Sequence, residues 1–152
     1  MTSPNNVTIS TAEIIGNIKY FGLAYFPKTP YIFDMINCVT IGKFDLNVDN
    51  IITNLYYSTF YKSVYLNASH DVIGNSFEST TGIDTILINN GLWSNGHSLE
   101  SSEIKIFANK FNNYQIRCAL SSGCIFSKIH IANNYFDNQS NNSGFSILSL
   151  EG

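Results

Sequence analysis

The sequence predicts an all-β fold, a parallel β-solenoid of about five coils with an asparagine ladder. Three observations predict it. A short phrase recurs as Val72-Ile73-Gly74-Asn75-Ser76-Phe77, Ile106-Phe107-Ala108-Asn109-Lys110-Phe111 and Ile131-Ala132-Asn133-Asn134-Tyr135-Phe136, on the template apolar, two residues, Asn, one residue, Phe. Each phrase is followed by a polar turn and a second alternating apolar segment, and repeats of this length mean a solenoid or a propeller. The composition agrees: twenty Asn, twenty Ile and eighteen Ser stand against six Ala and ten Leu. Asn and Ser compete with a helical backbone and Ile is stiff at χ1, whereas all three suit strands joined by tight turns.

Along the chain, the first 36 residues are the least regular. Tyr20 to Phe26 is a dense apolar run stopped by Pro27-Lys28-Thr29-Pro30, followed by Tyr31-Ile32-Phe33, and residues 1–36 read as irregular coils or a packing segment. Coils proper are expected over residues 37–152, within a single domain. Ile14-Ile15-Gly16-Asn17 and Val39-Thr40-Ile41-Gly42-Lys43-Phe44 are faint copies of the phrase, the second with Gly in the Asn slot. After Phe77 comes the strand Ile83 to Ile88, after Phe111 the strand Tyr114 to Leu120, and after Phe136 a polar loop and the strand Phe145 to Leu150. The stretch Gly91 to Ser102, with Asn90-Gly91 and Asn95-Gly96 around Trp93, reads as a loop or an extra strand. In a parallel solenoid a turn residue sits about 4.8 Å above its equivalent. Asn tolerates the left-handed conformation and carries both a donor and an acceptor, so stacked Asn side chains bond along the column. A propeller blade needs hairpin signals that this chain lacks elsewhere.

Length and charge narrow the function. The chain has 152 residues, 12% of them charged, with a net charge of −3. Scattered single Lys and Arg do not make the basic stripe of a nucleic-acid binder. No run of about 18 apolar residues marks a membrane span, and MTSPNNVTIS lacks the charged and apolar regions of a signal peptide. Cys38, Cys118 and Cys124 form no metal pattern and read as small core residues, although Cys118 and Cys124 are close enough in sequence to meet on adjacent strands. No cofactor or metal is expected.

The segments Ser127 to Phe136 and Glu103 to Phe111 resemble the repeat of right-handed parallel β-helix proteins, the pectate-lyase-like superfamily that also includes polygalacturonase-like hydrolases and bacteriophage tailspikes. The resemblance covers roughly Asn37 to Leu150, and the Asn-, Ser- and Tyr-rich texture is most like a tailspike fragment. It implies binding, with or without hydrolysis, of bacterial surface polysaccharide. The chemistry would be glycosidase or lyase action on capsule or O-antigen. It also implies a homotrimer, or a complex with a longer β-helix chain, located in a virion tail or in host cytoplasm during assembly. The other reading is a non-catalytic structural or receptor-binding piece of a virion or prophage protein. The chain departs from the polygalacturonase pattern in lacking Asn-Thr-Asp, an Asp-Asp pair and Arg-Ile-Lys, so no catalytic residue carries over.

Stacking then supplies the site candidates. The slot after the Phe holds Glu78, Asn112 and Asp137; the slot before the first apolar residue holds Asp71, Lys105 and His130. Two coils separate Glu78 from Asp137, about 9.6 Å at the backbone. That is near the ~6.5–9.5 Å of an inverting glycosidase, with one carboxylate as base and the other as acid. Glu78 and Asp137 are therefore the catalytic candidates. Asn112, Asp84 and His130 are the polar substrate-binding candidates, the first between the carboxylates and the others facing outward from strands. Trp93, with Tyr56, Tyr57 and Tyr61, is the aromatic candidate for stacking on sugar rings.

Overall fold

The computed structural model describes residues 6–19, 31–48, 51–67, 69–90, 103–120, 128–137 and 148–151. Every regular element among them is a strand, and the strands come in threes. The first rung is β1 (Asn6–Ser10), β2 (Glu13–Ile14) and β3 (Ile18–Lys19); the second is β4 (Tyr31–Ile36), β5 (Val39–Thr40) and β6 (Phe44–Leu46). The third is β7 (Ile51–Tyr56), β8 (Thr59–Phe60) and β9 (Val64–Leu66); the fourth is β10 (Asp71–Ile73), β11 (Ser76–Glu78) and β12 (Asp84–Asn90). The fifth is β13 (Glu103–Phe107), β14 (Lys110–Asn112) and β15 (Tyr114–Leu120); the sixth is β16 (Lys128–Ala132), β17 (Tyr135–Asp137) and β18 (Leu148–Glu151).

Equivalent strands of successive rungs pair in parallel. The result is three six-stranded sheets: A (β1-β4-β7-β10-β13-β16), B (β2-β5-β8-β11-β14-β17) and C (β3-β6-β9-β12-β15-β18). This is a solenoid-like stack of six rungs, where the sequence suggests about five coils. Strands β1 to β4 belong to the same sheets, so residues 6–19 and 31–36 are as regular as the rest.

Alternation along each strand sends one set of side chains inward. On sheet A, Met35, Leu55, Val72 and Ile106 share one register column and are fully buried. On sheet C, Ile86 pairs with Val64 and Ile116, and Ile88 with Leu66 and Cys118. On sheet B the column is aromatic: Phe60, Phe77, Phe111 and Phe136 stack with ring centroids 5.2, 4.9 and 4.9 Å apart. These separations are one strand spacing, so the rungs themselves hold the rings in face-to-face contact. Of the residues expected inside, Val72, Phe77, Ile104, Ile106 and Phe111 are completely buried. Ile129, Ile131 and Phe136, on the sixth rung, are only partly buried against the same core. Cys38 and Cys118 are free thiols in that core, and burial pushes the Cys118 pKa up to about 11. Cys124 lies outside the described residues.

The corner between sheets A and B repeats most strictly. Thr11, Asn37, Tyr57, Gly74, Ala108 and Asn133 occupy it on successive rungs, and all six have φ between 50° and 68°. A left-handed non-glycine residue costs roughly 1–2 kcal/mol. Each backbone N–H here is kept satisfied by donating to a carbonyl one rung on: Thr11 to Ile36, Asn37 to Tyr56, Tyr57 to Ile73, Gly74 to Phe107 and Ala108 to Ala132, at 2.9–3.2 Å. The next residue is Ala12, Cys38, Ser58, Asn75, Asn109 or Asn134. The Asn slot is therefore not the left-handed position, as the sequence reading has it; the residue before it is.

In that slot a chain of side-chain acceptors runs along the stack. Cys38 N–H donates to Ser58 Oγ (3.0 Å), Ser58 N–H to Asn75 Oδ1 (2.9 Å), Asn75 N–H to Asn109 Oδ1 (2.9 Å) and Asn109 N–H to Asn134 Oδ1 (2.9 Å). Each Asn Nδ2 also donates to a carbonyl of the neighbouring rung: Leu55, Val72 and Ile106 at 2.8–2.9 Å. The faint sequence copies do not lie in this register. Phe60, not Phe44, stacks on Phe77, and Phe44 is the sheet C partner of Val64. Steps from Ala12 to Cys38, Ser58, Asn75, Asn109 and Asn134 are 26, 20, 17, 34 and 25 residues. The two shortest steps break the expected 25–34 residue period.

Replacing Asn109 with Ala orphans the buried Asn75 N–H and the Val72 carbonyl. Each unsatisfied group costs about 1–3 kcal/mol, so a loss of about 2–4 kcal/mol is expected in urea unfolding. Lys110→Ala on the exposed side of the next position should stay within about 0.5 kcal/mol. Equal effects of the two would contradict this account of the corner.

Candidate functional site

Outward-facing residues of each sheet also fall into columns, because the same register governs both faces. On sheet B, Glu78 pairs with Asn112 and Asn112 with Asp137. The two carboxylates thus bracket an amide across two rung spacings, about 9.6 Å at the backbone. Ser76 Oγ donates to Glu78 Oε1 at 2.7 Å, and Lys110 Nζ lies 3.4 Å from the same oxygen. Ser76 first, and Lys110 less strongly, hold the Glu78 pKa below its ordinary value against partial burial. Glu78 is therefore an ionised acceptor, suited to receive a hydroxyl or a water proton. Asn112 Oδ1 is buried and has no hydrogen-bond partner, an acceptor left over in the middle of the column.

The other candidates lie elsewhere. Asp84 does not point outward into a groove. It has the parity of Ile86 and Ile88, both fully buried, and it pairs with buried Tyr114. Its oxygens accept from Ser63 Oγ and Ser79 Oγ, both at 2.7 Å. Three successive segments meet at this carboxylate, which makes it a tie between rungs. Beside it Tyr114 donates to the Lys62 carbonyl at 2.6 Å, and burial and the Asp84 charge raise its phenol pKa well above normal. His130 is exposed on sheet A, following Lys105 and Asp71 in register, on a different face from Glu78. Trp93 lies outside the described residues. Tyr57 is 64% exposed, Tyr61 half-buried, and Tyr56 committed to a hydrogen bond with Asp71.

Sheet A carries a second bracketed amide that the sequence reading missed. Asp34 pairs with Asn54, and Asp71 lies next in that column, one residue before the Val72–Leu55 pair. Asn54 Nδ2 donates to Asp34 Oδ1 at 2.9 Å, while Asn54 Oδ1 accepts from the backbone of His70 and Asp71, both at 3.2 Å. Tyr56 OH donates to Asp71 Oδ2 at 2.7 Å, and burial first, then Asp71, raise the Tyr56 pKa far above normal. Both ends of the Asn54 amide are already engaged, whereas Asn112 has a free acceptor. The signal was present as Asp34, Asn54 and Asp71, spaced 20 and 17 residues apart, outside the period of the recurring phrase. Among the described residues no group of three or more His, Cys, Asp or Glu side chains is arranged to hold a metal ion. No helix is long and apolar enough to cross a membrane.

No protein-family model matches the chain, and neither a curated protein nor a solved structure matches it.

Replacing Ser76 with Ala removes the main donor to Glu78, so the Glu78 pKa should rise toward the ordinary value of about 4.3. Carboxyl-carbon NMR titration measures this directly. Because the folded-state pKa is the lower one, the stability Glu78 adds is present above about pH 4.3 and is lost as pH falls through the folded value. The Ser76→Ala protein should show a smaller acid dependence of unfolding. An unchanged titration would mean that Ser76 does not control this carboxylate.

Proposed function

We propose that the chain is a right-handed parallel β-helix of the tailspike kind that binds an extended bacterial surface polysaccharide along its outer columns. The observation that carries the reading is the Glu78–Asn112–Asp137 column. A polysaccharide crossing several rungs meets equivalent positions at a fixed step, and here that step presents two acceptors around an unpartnered amide oxygen. Carboxylates and amides recognise sugar hydroxyls by accepting hydrogen bonds, and an acceptor without a partner favours a ligand that supplies a donor. Assembly as a homotrimer, or with a longer β-helix chain, within a virion belongs to the same proposal.

Hydrolysis is the second reading, favoured by the carboxylate spacing. In an inverting reaction Glu78, already ionised, would take a proton from water as the water attacks the anomeric carbon. Asp137 would give its proton to the departing glycosidic oxygen. Asn112 would hold a hydroxyl between them.

Purified capsule and O-antigen polysaccharides, incubated with the protein and followed by size-exclusion chromatography and reducing-end formation, test both readings. Shortened chains are expected, with turnover lowered by about 10²–10⁴ in Glu78→Gln or Asp137→Asn and the fold intact. Binding without shortening removes hydrolysis and leaves the binding domain; absence of binding removes both.

A further inference from the structure

Three large apolar side chains stand out from the corner between sheets A and B. Tyr57 is 64% exposed, Phe107 41% and Tyr135 61%. Tyr57 is the left-handed residue of the third rung, and its ring leans over the fourth. A Cβ on Gly74 would meet Tyr57 Cδ1 and Cε1 at 2.5 and 2.7 Å, so the glycine is what leaves room for the ring. Phe107 ends β13 on the fifth rung, and Tyr135 opens β17 on the sixth. The three aromatics therefore sit at the heights of rungs four, five and six, about 4.8 Å apart along the stack.

Polar columns flank them. Ser76, Lys110 and Tyr135 form one column of sheet B, next to Glu78, Asn112 and Asp137. On the sheet A side lie Asp71, Lys105 and His130. Lys110 is paired with Glu78, and Lys105 follows Asp71 in register, so charges of opposite sign alternate and no field of one sign covers the stripe.

From this placement we infer that Tyr57, Phe107 and Tyr135 form a stacking track for an uncharged stretch of glycan, with Gly74 as the residue that positions Tyr57. Pyranose rings present C–H faces that pack on aromatic rings while their hydroxyls reach polar side chains at the edge. The corner supplies both: aromatic faces in the middle and Ser76, Glu78, Asn112 and Asp137 beside them. The alternating charges give a polyanion nothing to bind through. This inference rests on the polysaccharide-binding reading and adds the surface and the class of sugar.

Affinity electrophoresis tests it, with the protein run in native gels cast with a panel of purified O-antigens lacking charged sugars and, in parallel, uronate-bearing capsular polysaccharides. The wild-type protein should be retarded by an uncharged polysaccharide, and equally so at low and high salt, since the contacts are not ionic. Tyr57→Ala, Phe107→Ala and Tyr135→Ala should each weaken retardation by about tenfold. Tyr57→Phe and Tyr135→Phe should keep it, because the ring remains. Gly74→Ala should weaken it by displacing Tyr57, although the backbone tolerates Ala at this corner, as Ala108 shows one rung on. Ile15→Ala, at a residue 80% exposed on the first rung, is the control and should change nothing. Circular dichroism of each variant verifies the fold. Wild-type protein that is retarded while the aromatic variants are retarded equally overturns the track and leaves the binding reading standing. Retardation by the uronate polymers alone, abolished by salt, overturns the uncharged class. Wild-type protein retarded by nothing overturns the binding reading itself.

Discussion

Every column in this protein depends on one corner. A left-handed residue turns the chain from sheet A to sheet B on all six rungs, and its N–H reaches the next rung at an almost constant distance. Parallel strands alone do not fix register, since a slip of one residue would turn each strand inside out. The corner removes that freedom. With it in place, Phe stacks on Phe inside the stack, an amide or hydroxyl oxygen meets an N–H in the slot beside it, and Glu78, Asn112 and Asp137 line up outside. Site and core are therefore the two faces of one register.

The corner tolerates varied sequence because it asks little of each side chain. Five of its six residues are not glycine, and Thr, Asn, Tyr and Ala all adopt the conformation. The slot after it asks for a small acceptor, which Ser58 supplies as well as Asn does. Gly74 is the exception, and its reason lies one rung away, in the ring of Tyr57. A similar economy appears at Gly42, where an added Cβ would run into the backbone of Gly16 on the preceding rung. At both places the residue is chosen by its neighbour along the stack and not by its neighbours in sequence.

That difference marks what the sequence could reveal. Phe77, Phe111 and Phe136 were legible because slot, spacing within the phrase and side chain all repeat. The Glu78 column followed from the same counting. The third rung escaped notice because Tyr56 to Phe60 keeps the Phe and exchanges Asn for Ser, at an interval of only 17 residues before Asn75. Losing that rung hid the Asp34–Asn54–Asp71 column and shifted Phe44 into the wrong sheet. Asp84 was misread for another reason. A carboxylate on the inward side of a strand looks implausible until its partners are seen, and these, Ser63 and Ser79, come from other segments. Burial of a charge is decided by such partners, which periodicity does not report.

The stacking direction also gives the molecule a mechanical grain. In parallel sheets the inter-strand hydrogen bonds run across the strands, hence along the stack. Tension applied lengthwise falls on one inter-rung boundary at a time, where the sheet bonds, the corner N–H and the slot amide all stretch together, so the rungs behave as links in series. Tension applied along a strand is resisted in shear by every bond of that strand at once. The Phe column adds little against the first and much against the second, since parallel rings separate along their common normal more readily than they slide through a packed interior. The same repeated register thus makes the stack an anisotropic spring, more compliant along its length than across it.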